Sequence, residues 1–333
     1  MKRVLIGGSG STGSSLLNNV LGRNPNIITT LETSIFCKKP LYNNFNFNKW
    51  RIPFRFPFGL PNWGYHLYRK TDYKSLYLKK NTPFSSIMLR SRNFMEFADN
   101  LFLSMEGYGG EFVWIEKTPA NSFHFDQFLD YFANSFVIHT IRNPYDTLAS
   151  LLERGYPDIY AGGIYLLNTL AGMKSRDSAN YYEVRYEDFT SYPEKSLKHI
   201  LDFLGLNYSG NELKPDGKHY KEANIVTWKK DELGEVEKNT GRFLNSSQEI
   251  QNRVIAITNL LKVSPEGAKF YEIPEISFCL LVEKLGYEFI NKRVNLKEFS
   301  KLHNQLQDDK RTRIQKGYLF HFLNYPLELK KTY

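Results

Sequence analysis

Two groups of residues in this chain have the types and spacing to hold anions. The first is Val4-Leu5-Ile6-Gly7-Gly8-Ser9-Gly10-Ser11-Thr12-Gly13-Ser14-Ser15-Leu16-Leu17. An apolar run ends in glycines that allow a tight turn, so that backbone N–H groups and the positive end of the following helix can converge on one phosphate. Ser11, Thr12, Ser14 and Ser15 add hydroxyl donors. Gly8, Gly10 and Gly13 satisfy the dinucleotide fingerprint, and Glu32, ending a second apolar run about 20 residues on, would serve such a site as ribose ligand. Gly8 to Gly13 followed by Ser14-Ser15 also resembles a nucleotide-triphosphate loop. Its lysine is replaced by Ser14, and no strand-end aspartate for magnesium follows. The glycine pattern alone leaves the phosphate compound open.

The second group lies in Val137-Ile138-His139-Thr140-Ile141-Arg142-Asn143-Pro144, continuing to Glu153-Arg154. Arg142 leaves a buried-type strand, and a helix follows at once. Ser150 and Arg154 are four apart and share one face of that helix. Three donors converging on one point suit a second, separate phosphate, which neither a dinucleotide fold nor a triphosphatase requires. Lys117, in the strand-end segment Glu116-Lys117-Thr118-Pro119, supplies a further cation. His124 and His139 read as structural, since a histidine on a buried strand is more often a satisfied core residue than a catalyst.

The elements that must position these groups follow from periodicity. Strands are expected at about Arg3–Ile6, Asn26–Leu31, Glu111–Ile115, Ser135–Ile141 and Tyr181–Arg185. Helices are expected over Gly13–Leu21, Ser86–Met105, Asn121–Tyr131, Pro144–Arg154, Ile159–Lys174 and Pro193–Leu206. The alternation predicts an α/β fold with a mostly parallel central sheet flanked by helices. After Leu206 the chain becomes more helical, near Ser247–Val263 and Pro274–Leu285. Residues 1–290 read as one domain. Residues 37–85, rich in aromatic and basic residues without a sustained period, read as an acceptor-binding insert. Residues 291–333 read as a basic and aromatic extension packed on that domain, with peripheral membrane contact as the alternative.

Composition sets outer bounds. Of the 333 residues, 41% are hydrophobic and 24% charged, which suits a globular chain. The net charge of +9 suits an anionic ligand, but no long basic run resembles a nucleic-acid arm, so nucleic acid is not an expected partner. Cys37 and Cys279 form no metal or redox spacing and read as free thiols of a reducing compartment. With a first strand near Arg3 and no long apolar run, neither signal peptide nor membrane span is expected, and a cytoplasmic location follows. Oligomeric state is left open.

Taken together, the glycine–hydroxyl loop and the Arg142/Ser150 pair resemble the sulfotransferases that use 3′-phosphoadenosine 5′-phosphosulfate (PAPS) as donor. In that family the loop after the first strand holds the 5′-phosphosulfate, and a strand-end arginine with a serine eight residues later holds the 3′-phosphate. The segment Tyr182–Phe189, read as a strand, and the helix ending in Leu201-Asp202-Phe203-Leu204-Gly205-Leu206 are similar to the family's later core. The likeness spans about Val4 to Leu206, with a weaker echo to Leu285. Within the superfamily, tyrosylprotein sulfotransferases and their bacterial relatives are the nearer likeness. Glu32 lies 19 residues after Gly13, where those enzymes place a catalytic glutamate. Lys117 stands in a Lys-Thr-Pro like their catalytic lysine segment, and Arg154 falls 12 residues after Arg142, like their second 3′-phosphate arginine. The cytosolic small-molecule enzymes carry a histidine base two residues after the lysine; here that residue is Pro119.

The resemblance implies a P-loop-like sulfotransferase architecture and a donor site of Gly10, Ser11, Thr12, Gly13, Ser14, Ser15, Arg142, Ser150 and Arg154. It adds Tyr186 beside the adenosine and Arg242 as a late donor-binding residue. Glu32 is implied as general base and Lys117 as stabiliser of the leaving group, with PAP as product and no metal. The expected reaction is sulfuryl transfer to a hydroxyl of a carbohydrate, glycolipid or small metabolite. The alternatives are an NAD-binding oxidoreductase and a nucleotide-binding module that has lost catalysis. One departure stands out: the relatives carry arginine or lysine where this chain has Ser11. A charge-assisted hydrogen bond contributes about 1.5–3 kcal/mol, so either Lys117 or another cation neutralises more of the phosphosulfate or activity is reduced.

Overall fold

The computed structural model describes residues 1–30, 32–49, 84–105, 112–214, 240–316 and 327–330. Its centre is a five-stranded, wholly parallel sheet in the order β2-β3-β1-β4-β5. The strands are β1 (Lys2–Gly8), β2 (Ile27–Thr29), β3 (Val113–Lys117), β4 (Ser135–Ile141) and β5 (Tyr181–Arg185). The helices that cover them are α1 (Ser14–Leu21), α2 (Phe94–Leu103), α3 (Phe125–Tyr131), α4 (Pro144–Glu153), α5 (Asp158–Met173) and α6 (Pro193–Phe203). A helical part follows, with α7 (Gln248–Leu260), α8 (Phe278–Lys284) and α9 (Leu296–Lys316). This is the parallel α/β architecture that the alternation of elements predicts.

Both faces of the sheet are covered, which explains its continuous apolar strands. Val4 and Ile6 of β1 pack with Leu17, Val20, Ile138, Leu197 and Ile200 under α1 and α6. Leu5, pointing the other way, joins Trp114, Val137 and an aromatic group including Phe36, Phe97, Phe102 and Phe128 under α2 and α3. A third cluster joins α4 and α5 to the C-terminal helices, with Leu302 and Leu306 of α9 buried in it.

Several boundaries differ from the sequence expectation. The single helix expected over Ser86–Met105 is two, Phe84–Arg90 and α2, because Asn93 caps α2 by accepting from Glu96 N at 2.8 Å. The strand expected at Tyr181–Arg185 is β5, whereas the longer strand to Phe189 read with the family likeness stops at Arg185, and Tyr186–Ser191 is a short helix with Glu187 and Asp188 in its first turn. The described part of the irregular insert, residues 37–49, contains two short helices, Lys39–Asn43 and Phe45–Asn48. Their Leu41, Tyr42 and Phe45 are buried in the aromatic group, so these side chains serve the core. The remainder of the insert to residue 83 lies outside the described residues, as do Tyr318, Leu319, Phe320, Phe322 and Leu323. A small antiparallel pair, β6 (Leu261–Val263) with β7 (Leu327–Leu329), was not anticipated; the two segments are too far apart in sequence for a local signal. Among the described residues, no helix is long and apolar enough to cross a membrane.

His139 is wholly buried in β4, with Nδ1 2.7 Å from the Tyr181 hydroxyl and its ring against Gly172 of α5. Burial, assisted by the charge of Arg176, pushes its pKa down to about 3. The unfolded chain therefore binds a proton that the folded chain refuses between the ordinary histidine value and about 3. Stability is full above that window and falls as pH drops through it, by about 1.4 kcal/mol per pH unit for this group. Urea midpoints measured from pH 7 to pH 4 should show that slope, reduced by about one proton in His139→Asn.

Candidate active site

The first strand delivers a loop that only glycine permits at its ends. Gly8 has φ 142°, and a Cβ there would collide with the carbonyl oxygen of Thr140; Gly13 has φ 84°, and a Cβ there would collide with the Tyr186 ring. Between them the chain folds back on itself. The Thr12 hydroxyl donates to Ser9 O at 2.7 Å and lies 2.8 Å from Thr140 Oγ1, which donates to Gly7 O at 3.2 Å. This places the hydroxyl of Thr12 inside the turn, tying it to β4. Ser14 and Ser15 open α1, whose N-terminus ends the loop.

On the β3 side, Lys117 is the last strand residue and pairs in register with Ile6. Its ammonium donates to Ser15 Oγ at 3.0 Å and forms an ion pair with the Glu32 carboxylate. The lysine side chain is 4% exposed, the glutamate 37%, so a sheltered cation holds a carboxylate open to an incoming molecule. Glu32 is in turn held by its neighbour. Thr33 donates its amide and its hydroxyl to Glu116 Oε1 at 2.8 and 2.7 Å, and Thr118 Oγ1 donates to the same oxygen at 2.7 Å. Asn121 Nδ2 donates to Glu116 Oε2 at 2.6 Å and to Ile6 O at 3.1 Å. Glu116 has no exposed surface. Its carboxylate joins the ends of β1 and β3 to the segment carrying Glu32. Cys37 closes the knot by donating to Asn121 Oδ1 at 3.3 Å, and burial pushes its thiol pKa far up, which keeps it an inert thiol.

On the β4 side, Arg142 follows the strand directly. Its carbonyl accepts from Tyr165 OH at 2.7 Å, and its guanidinium lies 4.3 Å over the Tyr186 ring. Asn143 caps α4 by accepting from Tyr145 N and Asp146 N, with Pro144 in the first helical turn. Arg142 Nη1 donates to Ser11 O at 3.1 Å. Ser150 Oγ donates to Ser11 Oγ at 3.3 Å, and Arg154 Nη1 donates to the same hydroxyl at 2.8 Å. Arg142 from the strand end and Ser150 and Arg154, which sequence spacing placed on one helix face, therefore meet at one point of the loop. Asp146, 4.0 Å from Arg142, accepts from Gly241 N at 2.8 Å and Phe243 N at 2.9 Å. The segment bearing Arg242 thus lies against α4, with Arg242 Nε donating to Glu153 Oε2 at 2.7 Å.

The structure gathers Gly10, Ser11, Thr12, Gly13, Ser14, Ser15, Glu32, Lys117, Arg142, Ser150, Arg154 and Tyr186 at the carboxyl ends of β1, β3 and β4, with Arg242 at the rim on Glu153. Ligands of open α/β sheets bind at such carboxyl ends. The tyrosine packs on Gly13 and Arg142 rather than standing apart from the phosphate-type donors. Sequence reasoning missed Glu116, Thr33, Asn121 and Asp146; Glu116 and Asp146 lie within the segments it singled out, but no role was assigned to them. Lys117, hydroxyls and helix-terminal amides on one side, and two arginines with a serine on the other, form a donor set suited to two separate anions.

A family model described as sulfotransferase family matches residues 3–210. No curated protein matches the chain. Among solved structures it is similar to the sulfotransferase domain of the Synechococcus PCC 7002 olefin synthase, at 16% identity over 91% of this chain and 94% of that one, TM-score 0.47. It is similar also to a sulfotransferase domain from the curacin biosynthetic pathway, at 16% identity over 87% and 99%, TM-score 0.49. A mouse sulfotransferase solved in complex with PAP shares 14% identity over 77% and 83%, TM-score 0.39. With the family model covering the loop, the Lys117 strand and the Arg142 helix alike, the chain belongs to the sulfotransferase family.

Proposed function

We propose that this protein transfers a sulfuryl group from PAPS to a hydroxyl of a carbohydrate, glycolipid or small metabolite. The observation that carries the reading is the contact of Lys117 with both Glu32 and Ser15, opposite the Arg142, Ser150 and Arg154 set on the same loop. The loop amides with Ser14 and Ser15 bind the 5′-phosphosulfate, while Arg142, Ser150 and Arg154 bind the 3′-phosphate. Glu32 accepts the proton of the acceptor hydroxyl as its oxygen forms a bond to sulfur. The bond from sulfur to the 5′-phosphate oxygen breaks, and Lys117 stabilises the charge that develops on that oxygen. The sheltered position of Lys117 strengthens this interaction, because fewer waters screen it.

Thermal unfolding tests donor recognition. PAP should raise the unfolding midpoint of the wild-type protein and NAD should not; a ligand at a hundred times its Kd adds about 2.7 kcal/mol. Arg142→Ala should abolish the shift. Stabilisation by NAD alone would overturn the reading. Stabilisation by PAP without transfer to any hydroxyl in a screen with labelled donor would reduce it to a binding module.

A further inference from the structure

Ser11 lies in the middle of the glycine loop, and its surroundings differ from those of the loop hydroxyls of Thr12 and Ser15. Both of its polar atoms are engaged by the β4–α4 side: the carbonyl by Arg142, the hydroxyl by Ser150 and Arg154. Ser15, four residues on, is engaged by Lys117 on the β3 side instead. The backbone sets this division. Ser11 has φ 65°, in the left-handed region, a conformation that few side-chain-bearing residues adopt.

Resting on the PAPS reading, we infer that Ser11 belongs to the 3′-phosphate cluster, where it discriminates donors that carry a 3′-monophosphate from those that do not, and that it is not a ligand of the 5′ group. A hydroxyl suits that place because it accepts from Arg154 while keeping a proton to donate to a phosphate oxygen. In this chain Arg154 reaches the Ser11 hydroxyl at 2.8 Å, so a cation from the end of α4 stands against the loop. Arg154 and Ser11 therefore act through each other.

Calorimetric titration with PAP and with adenosine 5′-phosphate, which differ only in the 3′-phosphate, tests this without any acceptor. The probe variant is Ser11→Gly, which removes the hydroxyl while suiting the backbone. It should weaken PAP about tenfold, the size of one charge-assisted hydrogen bond, and leave adenosine 5′-phosphate within twofold. Ser150→Ala, which removes the hydroxyl that donates to Ser11 but keeps the loop's own residues, should show the same selective loss. Arg154→Ala should cost far less in the Ser11→Gly background than alone. Equal loss for both nucleotides in Ser11→Gly, or no loss for either, overturns the assignment of Ser11. Failure of the wild-type protein to bind PAP overturns the PAPS reading itself, a different result in a different sample.

Discussion

Glu32→Gln should bind PAP as tightly as the wild-type protein while losing sulfuryl transfer by about 10²–10⁴-fold, the usual contribution of a positioned general base. The amide keeps the shape of the side chain but cannot take a proton from the acceptor. Donor affinity should persist because the Arg142, Ser150 and Arg154 contacts lie on the opposite side of the loop. The measurement is release of label from PAPS to an acceptor returned by a hydroxyl screen, with PAP affinity determined in parallel. Undiminished transfer would remove Glu32 as base. A parallel loss of PAP affinity would instead show that the Glu32–Lys117 ion pair shapes the donor loop.

Glu116→Ala should cost about 3–5 kcal/mol of stability, because the carboxylate takes four hydrogen bonds from Thr33, Thr118 and Asn121 with no access to water. Its removal opens a cavity and leaves the donors unpaired in the interior, where each such group costs roughly 1–3 kcal/mol. Urea unfolding measures the loss. Loss of Thr33's anchor should also free the segment carrying Glu32, so hydrogen exchange at the Thr33 amide should accelerate under conditions where the sheet remains folded. A variant within 1 kcal/mol of wild type would show that the network is dispensable to the fold.

The grouping of the glycine loop with Arg142, Ser150 and Arg154 is legible in the sequence because both segments open at a strand-to-helix junction. There glycine, a capping Asn143 and Pro144 mark the turn, and Ser150 and Arg154 inherit a shared face from helical periodicity. Glu116 is not legible for a physical reason. In a strand covered on both faces the alternation of buried and exposed residues vanishes, and a carboxylate between Ile115 and Lys117 reads as the wet side of an edge. Its partners Thr33 and Asn121 come from separate segments, so no local pattern announces their meeting. Tyr186 was legible as a position but not as a contact: its packing on Gly13 depends on a short helix where a strand was expected.

Because β1 lies between β3 and β4, the glycine loop meets Lys117 and the Arg142, Ser150 and Arg154 set only through contacts distant in sequence. Gly8 pairs with Thr140 and Ile6 with Lys117, so the loop closes only after long stretches of intervening chain have been brought together. Parallel pairing at such separations is slow, since chain entropy is lost before contacts repay it. During synthesis the glycine loop must therefore wait for Lys117 until β3 has left the ribosome, and for Arg142 and Arg154 until β4 and α4 have followed. A chain that stops before Arg142 would carry the glycine loop without the Arg142, Ser150 and Arg154 set that meets it.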